Sequence, residues 1–484
     1  MGENIRNKAF SNMLWRFMER TGAQAVGFVV QIILARLIAP EAFGIIAMVT
    51  VFIAVLQVFV DSGMGNALIQ KKNADDLDFS SVFYFNMAMC IFLYIVMFIA
   101  APFIADFYNM PDLTPVVRVL SLMLIISGVR NIQQAYVSRH LMFKRFFYAT
   151  LGGTIMAAVV GIGMAYKGYG VWAVVVQQLF RAALAAVILW VTVKWRPRLM
   201  FSFERLKGLF SYGWKLLASS LISTLYGEIR PLIIGKVYLP EELAFYNRAE
   251  SLPLFVVKNI NSSIDSVLLP TMSAEQDDRN RVRAMTRRAI KTSTYLMMPI
   301  MVGLAVCAEP LVRLILTEKW MPCVPFLRVF CFVYAFLPIH TANLNAIKAL
   351  GRSDLFLKLE ILKKTVGFTV MLATIFISIE VMVYSYLVTT VISMCINAYP
   401  NKKLLDYSIK DQIFDMLPTI AVACATAVPC GLLILFGLND VLTLIIQILT
   451  GAFCYIGLSK LFKLEAMTYL TDMLKGLLSK FMPK

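Results

Sequence analysis

Charged residues are scarce in this chain of 484 residues. Lysine, arginine, aspartate and glutamate together make up 15% of it, hydrophobic residues make up 59%, and the mean hydropathy is +0.73. A soluble domain of this size keeps about a quarter of its residues charged. The composition therefore excludes a soluble globular protein and indicates a protein embedded in a membrane.

Motifs for catalysis and for metal binding are also missing. The chain has no GxxxxGK[ST] phosphate loop, no HExxH helix and no CxxC pair among its eight cysteines. Of its two histidines, His140 belongs to a basic loop, and packing or a hydrogen bond is the simpler role for His340. The longest outer loop, around residues 309–322, is too short for a catalytic domain. We therefore expect no enzymatic activity and no bound metal.

Apolar runs of about 20 residues recur along the whole chain, and a helix of that length crosses the hydrocarbon core of a bilayer. Uninterrupted runs favour helices over the alternating strands of an outer-membrane barrel, because a backbone in lipid must satisfy its own hydrogen bonds. We predict an all-α membrane protein with about fourteen transmembrane helices. The predicted spans are residues 14–38, 42–69, 80–105, 115–138, 147–166, 169–193, 208–235, 242–270, 288–308, 324–347, 355–378, 380–400, 413–437 and 441–459.

Basic residues outside these spans are distributed unevenly. With the N-terminus in the cytoplasm, 31 of the 46 lysines and arginines fall in cytoplasmic segments and 5 fall in outer loops. Cytoplasmic loops of membrane proteins carry such an excess, so we expect both termini on the cytoplasmic side of a bacterial inner membrane. The net charge of +17 then reflects topology and attraction to anionic lipid headgroups, and no nucleic-acid partner is expected.

An internal repeat relates the two halves of the chain. At an offset of 200 residues, RLIAPE at 36–41 corresponds to KVYLPE at 236–241, and at an offset of 210, PVVRV at 115–119 corresponds to PFLRV at 325–329. Six helices return the chain to its starting side, so the repeat is parallel and predicts two pseudo-symmetric six-helix lobes. The predicted domains are residues 1–200 (helices 1–6), 201–405 (helices 7–12) and 406–484 (helices 13 and 14 with a basic tail).

Ten basic residues fall inside the predicted spans. A cation near the bilayer centre costs about 2.5–3.5 kcal/mol, so these side chains should face a cavity, a partner or an interface. Two like lobes imply a site between them with alternating access, and the positive sign indicates an anionic cargo. The ten are Arg118, Arg130, Arg181, Lys215, Arg230, Arg248, Lys258, Arg328, Lys363 and Lys364. The candidate residues for binding the cargo are Arg16, Arg20, Arg130, Arg181, Lys215, Arg230, Arg248 and Lys258.

Several of these cations have competing interpretations. The two arginines at the start of helix 1 fit cytoplasmic anchors equally well. Arg230 and Arg248 fit ion pairs with glutamates of helices 7 and 8 equally well, which would hold that hairpin together without touching cargo. Lys215 and Lys258 have no evident acidic partner in the sequence, which favours a cavity role for at least one of them.

Asp61 is the lone acid within predicted helix 2. An isolated carboxylate at membrane depth is a candidate for coupling transport to H⁺ or Na⁺, and no other cofactor is expected. Two alternatives stay open. Asp61 could be the buried counter-ion of a basic residue such as Arg20 or Arg130, or an inner-interface residue if helix 2 ends early.

The segments WRFMERTGAQAVGFVVQIILARLIAPEAFGIIAMVTVFIAVLQVFVDSGMGNALIQ (15–70) and YVSRHLMFKRFF (136–147) resemble bacterial polysaccharide-export proteins of the Wzx type. These are the colanic-acid and teichuronic-acid exporters of the multidrug/oligosaccharidyl-lipid/polysaccharide superfamily. The resemblance extends over all predicted helices and implies a MATE-like fold with a V-shaped cationic cavity between two six-helix lobes.

The resemblance also implies a function. It points to a flippase that moves undecaprenyl-pyrophosphate-linked oligosaccharide repeat units from the cytoplasmic to the periplasmic leaflet, for exopolysaccharide or O-antigen synthesis. The related lipid II flippases use basic residues in helices 1, 2 and 8. Here helix 2 has none beyond its inner end, so only the basic residues of helices 1 and 8 carry over.

Two other functions remain open at this stage. One is a multidrug or metabolite exporter of the same superfamily, although such exporters have acid-rich sites and here basic intramembrane residues outnumber acidic ones. The other is a non-transporting scaffold of a polysaccharide assembly complex. The expected partners are a lipid-linked oligosaccharide, membrane lipids, and the polysaccharide polymerase with its chain-length machinery.

The uneven distribution of basic residues makes a testable prediction about topology. Single cysteines placed in segment 279–291 of a cysteine-free variant should react only with reagents that reach the cytoplasm. Cysteines placed in segment 309–322 should react from outside intact cells. Labelling of both segments from one side would contradict the fourteen-helix topology.

Overall fold

The computed structural model describes residues 22–61, 64–140 and 142–481. Regular structure in these residues is helical throughout, without strands, which confirms the predicted all-α fold. The helices are α1 (Gly22–Leu37), α2 (Pro40–Asp61), α3 (Met64–Gln70), α4 (Asp76–Tyr108), α5 (Leu113–Leu120), α6 (Leu122–Arg139), α7 (Phe143–Tyr166), α8 (Val171–Thr192), α9 (Phe203–Val237), α10 (Pro240–Ala274), α11 (Arg279–Val306), α12 (Ala308–Leu316), α13 (Val324–Ala335), α14 (Leu337–Ala349), α15 (Ser353–Ile375), α16 (Ile379–Leu405), α17 (Ile409–Leu432), α18 (Asp440–Leu461) and α19 (Glu465–Phe481).

The chain is a multi-pass membrane protein. Within the described residues, ten helical spans are long and apolar enough to cross a bilayer. The predicted spans outside this set are α1, described from Gly22 onward, together with α9, α10 and α15. The last three carry charges in their interior, which lowers their hydropathy. At 35 residues each, α9 and α10 are about 52 Å long and exceed the thickness of the hydrocarbon core.

The internal repeat is visible in the helix boundaries. α1 ends at Leu37 and α2 begins at Pro40, while α9 ends at Val237 and α10 begins at Pro240, which preserves the offset of 200 residues. Pro is favoured at the first turn of a helix because its missing N–H has no partner there in any case. α7 and α15 also correspond: their first residues are 210 residues apart in the sequence, and their last residues are 209 apart. The sequence repeat therefore corresponds to repeated helix placement.

Packing divides the chain into two compact units, one up to Ala244 and one from Phe245. In the first unit α7 packs along α8, α2 packs against α9, and α6 packs against both α4 and α8. In the second unit α11 packs against α17 and α13, α15 against α16, and α17 against α18. The lobe boundary near residue 200 remains a prediction from the sequence repeat, whereas packing places α9 in the first unit.

A buried aromatic cluster holds one end of the first unit together. The Phe79 ring lies 5.5 Å from that of Tyr136 and 5.6 Å from that of Trp195, measured between centroids. Beside it, Asp78 is fully buried and accepts hydrogen bonds from Lys71 Nζ at 2.7 Å. A buried carboxylate requires such a partner, so this contact fixes α3 and the start of α4 relative to each other.

The starts of α2 and α10 approach so closely that only glycine fits at position 44. A Cβ atom on Gly44 would lie 1.8 Å from the carbonyl oxygen of Pro240. The obstacle is backbone, so it cannot rotate away as a side chain would. The contact between the first turns of α2 and α10 therefore depends on this glycine.

Gly44→Ala should destabilise the protein by about 1–3 kcal/mol, because the added methyl forces two backbones apart. Gly163→Ala on α7 is the matched control, since a Cβ at Gly163 would meet nothing within 4 Å. That control should be neutral or slightly stabilising. Thermal unfolding of both purified variants checks the prediction, and equal midpoints would contradict the close contact at Gly44.

Candidate functional site

The residues on either side of Arg130 in α6 form hydrogen bonds with neighbouring helices. The side chain of the following residue, Asn131, donates from Nδ2 to the Val60 carbonyl oxygen of α2 at 2.9 Å. The preceding residue, Val129, accepts from Trp190 Nε1 of α8 at 3.0 Å through its carbonyl. These two bonds connect α6 to α2 and to α8, so the backbone that carries Arg130 has little freedom to move.

Arg181 is carried by α8, which approaches α7 closely. A Cβ atom on Gly153 of α7 would lie 3.1 Å from the Arg181 carbonyl oxygen and 3.4 Å from the Cβ of Ala185. Because glycine has no side chain, the backbones of α7 and α8 can pack closely here, and this contact fixes the position of Arg181 relative to α7. The Arg181 side chain is exposed, and Gln177, one turn earlier, is buried.

Asp61 is the last described residue of α2 and lies within Pro40–Gln70, a span long and apolar enough to cross a bilayer. Its carboxylate is exposed and accepts from Gln57 Nε2 at 3.4 Å. It also interacts electrostatically with Arg130. Val60 precedes Asp61 in the sequence, and Asn131 follows Arg130. The hydrogen bond between Asn131 and Val60 therefore brings the end of α2 near Arg130.

Arg130 and Arg181, here called the arginine pair, repel each other across α6 and α8. The single carboxylate of Asp61 offsets only part of their charge. The Nε atom of Arg130 is buried and has no hydrogen-bond acceptor among the described residues. An unmet donor on a guanidinium group is costly in a medium of low dielectric constant, so the pair is incomplete without an anion or water.

Lys215 and Arg230 lie on α9 of the first unit. Lys215 is exposed and Arg230 is half-buried. From Trp214 to Ile233 no residue of α9 is buried, so this stretch is not covered by the helices that pack on its two ends. Lys215 is exposed in a predicted membrane span, where a cation requires water or an anion.

Arg248 and Lys258 lie on α10, in the second unit. The Arg248 guanidinium is 5.1 Å from the ring centroid of the fully buried Trp320, a cation–π contact. Lys258 is exposed. Glu250 is one of the glutamates of predicted helix 8 that could pair with an arginine of the hairpin. Its carboxylate accepts a hydrogen bond from the Tyr334 hydroxyl at 2.7 Å.

The stretch of α10 that follows, residues 258–266, is polar and mostly exposed. Asn259 Nδ2 donates back to the Phe255 carbonyl at 2.9 Å, and the hydroxyls of Ser262 and Ser263 both donate to the Asn259 carbonyl at 3.0 Å. Asp265 accepts from Asn345 Nδ2 at 2.8 Å. Asp265 thus connects α10 to α14, whereas Asn259, Ser262 and Ser263 bond within their own helix and offer a polar surface.

The remaining two candidates, Arg16 and Arg20, lie outside the described residues. Among the described candidates, Arg130 interacts electrostatically with Asp61 and with Arg181 in the first unit. Sequence reasoning named all three without anticipating that Arg130 and Arg181 would be neighbours. It also missed Asn131, which lies next to Arg130 and connects α6 to Val60.

Known proteins resemble this chain in sequence and in fold. The teichuronic acid biosynthesis protein TuaB of Bacillus subtilis is 24% identical over 413 residues, which cover 83% of this chain and 85% of TuaB. The lipopolysaccharide biosynthesis protein WzxC of Escherichia coli is 23% identical over 362 residues, 74% of each chain. The solved structure of the lipid II flippase MurJ in an inward closed conformation matches the fold with a TM-score of 0.72 at 14% identity, over 93% of this chain and 98% of that one.

A family match covers more than half of the sequence. Residues 33–325 match the family described as polysaccharide biosynthesis protein. The region includes α2 to α12 and thus every described candidate residue. The resemblance proposed from residues 15–70 is confirmed, and this chain belongs to the polysaccharide biosynthesis protein family.

Proposed function

We propose that this protein is a flippase for a polyprenyl-pyrophosphate-linked oligosaccharide and moves it from the cytoplasmic to the periplasmic leaflet of a bacterial inner membrane. The observation that carries the proposal is the arginine pair, with the buried Nε of Arg130 left without an acceptor among the described residues. A pyrophosphate group supplies what is missing there. Its oxygens accept several hydrogen bonds, and its charge offsets two guanidinium groups.

Arginine suits this ligand better than lysine would. The planar guanidinium group presents its N–H donors as a fork that matches two phosphate oxygens, and it stays charged when it is partly buried. α6 and α8 hold the two forks at membrane depth on backbones that are already anchored. The rigid placement lowers the entropy that binding must overcome.

The sugar portion needs a different surface from the pyrophosphate. The polar stretch 258–266 of α10 offers exposed amides, hydroxyls and one carboxylate. Oligosaccharides form hydrogen bonds with such groups through their own hydroxyls, and Lys258 can attract acidic sugars. We propose that this stretch contacts the sugar during its passage.

Transport proceeds by alternating access, in which the two repeats rock against each other. The protein catalyses no covalent reaction and hands the cargo to a polysaccharide polymerase and chain-length machinery on the outer side. Both termini are cytoplasmic, in accordance with the distribution of basic residues. Energy comes from an H⁺ or Na⁺ gradient, from the membrane potential or from removal of the product.

Arg130→Ala and Arg181→Ala should each reduce flipping of a fluorescent polyprenyl-pyrophosphate sugar in proteoliposomes by about 10- to 100-fold, the loss expected for one charge-assisted contact. Arg→Lys at either position should retain more activity, because the charge stays and only the fork is lost. Flux at matched protein content is the measurement.

The matched control is Arg118→Ala. Arg118 is also an intramembrane arginine by sequence, but its Nε donates to the Phe98 carbonyl at 3.4 Å and its guanidinium lies 4.3 Å from the Phe98 ring centroid. This variant should flip the lipid normally. Normal flux in both arginine-pair variants would refute the proposal. Transport of cationic drugs without transport of the lipid would identify an exporter, and no transport of either would identify a scaffold.

The exposed lysines of α9 and α10 can be tested in the same assay. Lys215→Ala and Lys258→Ala should lower flux while folded protein stays in the membrane, because each removes an attraction for the anionic cargo. Lys→Arg at both positions should retain function. Unchanged flux in both alanine variants would remove these lysines from the binding surface.

We propose that Asp61 is the counter-ion of Arg130 in the empty state, in preference to a site that exchanges H⁺ or Na⁺. Asp61→Asn should then lower the free energy of unfolding by about 1–3 kcal/mol, since it leaves the arginine pair less compensated. The double variant Asp61→Asn/Arg130→Gln should recover part of this loss, because the cation is removed as well. Thermal unfolding measures both variants.

The coupling role makes a different prediction for the same variant. If Asp61 carries a proton or Na⁺ through the cycle, Asp61→Asn should abolish net transport while leaving the unfolding midpoint and substrate binding unchanged. Unchanged values of stability and flux together would give Asp61 neither role.

A further inference from the structure

Prolines inside the long helices leave certain backbone carbonyl oxygens without their usual hydrogen-bond donor. Proline has no N–H, so the carbonyl four residues before it loses its partner in the helix. At membrane depth that loss is costly unless another group donates to the oxygen. In α4, Pro102 frees the carbonyl of Phe98, and Arg118 Nε donates to it at 3.4 Å. Here the protein itself supplies the missing donor.

The same repair occurs in α11 but not at a third proline, in α9. Pro299 frees the carbonyl of Tyr295 in α11, and the buried hydroxyl of Tyr455 donates to it at 2.8 Å. In α9, Pro231 frees the carbonyl of Gly227. This residue lies in the stretch of α9 from 214 to 233 in which no residue is buried, so no packed neighbour covers it.

Gly227 leaves its carbonyl open to a ligand. Of the prolines within described helices, Pro231 alone has a glycine four residues before it. Gly227 is exposed, and a Cβ atom placed on it would meet nothing within 4 Å. It precedes the end of α9 at Val237 by ten residues, or about 15 Å, and so lies within the predicted span 208–235. A donor that approaches this oxygen therefore meets no steric obstacle from a side chain at position 227.

Hydroxyl side chains share the face of α9 that carries Gly227. Residues at spacings of three, four and seven lie on one side of a helix. Ser220, Ser223 and Thr224 precede Gly227 by seven, four and three residues. Both serines are exposed and Thr224 is half-buried. We call these four residues the α9 polar face.

The opposite side of the same stretch is apolar. Ile222 is 65% exposed and Leu225 is 48% exposed. These side chains can meet lipid, whereas hydroxyl groups and a freed carbonyl cannot do so without cost. The uncovered part of α9 therefore has one side suited to lipid and one side suited to a polar ligand.

We propose that the α9 polar face binds the sugar portion of the cargo, and that the Gly227 carbonyl accepts a hydrogen bond from a sugar hydroxyl or acetamido N–H. The inference rests on the proposed flippase function and adds to it a sugar contact without charge. A backbone acceptor and a row of hydroxyl groups match the alternating donors and acceptors of an oligosaccharide.

The composition of the face favours a sugar over a metal ion. A bound cation needs a carboxylate to balance its charge, and the α9 polar face has none. A sugar needs only hydrogen-bonding partners. A site built to bond a ligand donor also discriminates against a ligand that lacks this donor, so the face should favour a lipid that carries sugar over one that does not.

The test measures apparent dissociation constants of the full chain in detergent for two lipids. One is a polyprenyl pyrophosphate that carries an oligosaccharide, and the other is the same lipid without sugar. Pro231→Ala supplies an N–H to the Gly227 carbonyl and removes no polar side chain. It should weaken binding of the sugar-bearing lipid about 3- to 10-fold, the loss of one neutral hydrogen bond, and leave binding of the sugarless lipid unchanged.

Ser223→Ala tests the same face without any change of the backbone, and it should give the same selective loss. Two controls match these variants. Pro299→Ala also restores an N–H inside a long helix, but to an oxygen that Tyr455 already bonds. Ser211→Ala removes an exposed hydroxyl from the opposite side of α9. Both controls should bind the two lipids as the wild type does.

Three outcomes would overturn the inference. An equal loss for both lipids in Pro231→Ala and Ser223→Ala would mean that the changes act on the shape of α9. An equal selective loss in Ser211→Ala would mean that the sugar has no preferred side. Unchanged binding in both test variants would remove the α9 polar face from the sugar site. Failure of the wild type to bind either lipid would instead refute the proposed function, and with it the basis of this inference.

Discussion

A charged side chain at the depth of the hydrocarbon core needs a counter-charge, a hydrogen-bond acceptor or water, and this requirement determines which helices can face lipid. α4 and α18 have no charges in their middle and present large apolar side chains outward, such as Phe103 and Phe453. α9 and α10 carry charges through their length and cannot do the same. The distribution of charge therefore distinguishes α4 and α18, which can face lipid along their middle, from α9 and α10.

Buried polar side chains connect helices within the second unit. In the second unit, Asn343 Nδ2 donates to Gln412 Oε1 at 2.9 Å, and Asn401 Nδ2 donates to Asn343 Oδ1 at 2.7 Å. These bonds fix α14 against α16 and α17 and specify a single packing. Arg130 of the first unit, by contrast, keeps an unmet donor. Asn401 Oδ1 of the second unit also lacks a hydrogen-bond partner among the described residues, and Arg130 differs from it in carrying a charge.

The fold could be predicted from the sequence because the bilayer imposes a length and a composition on every crossing helix. Thirteen of the predicted apolar runs correspond to described helices, the first run is described only from Gly22, and the repeat of 200 residues recurs at Pro40 and Pro240. Local interruptions were not predicted. Span 115–138 consists of two helices separated at Ser121, and span 324–347 is separated at Phe336, because apolar composition continues through both points.

The candidate site could be predicted only in part. Its members were identified because cations are rare at membrane depth, which is a property of each residue alone. Their grouping was not predicted, since the neighbourhood of Arg130 and Arg181 depends on how α6 packs against α8. That packing includes the Trp190–Val129 bond, and α8 is in turn held close to α7 at Gly153; neither residue pattern differs from that of ordinary helix packing.

The charge balance of the site explains why a single acid stands beside two arginines. With no acid, the empty protein would hold two mutually repelling guanidinium groups at membrane depth, and the first unit would be strained. With two acids the site would be neutral, and a pyrophosphate would gain little by leaving the headgroup region. One carboxylate, Asp61, leaves a net positive charge that an anion can complete. If the proposed anion binds here, cargo binding and the stability of the first unit are linked, because a ligand that binds the folded state stabilises it.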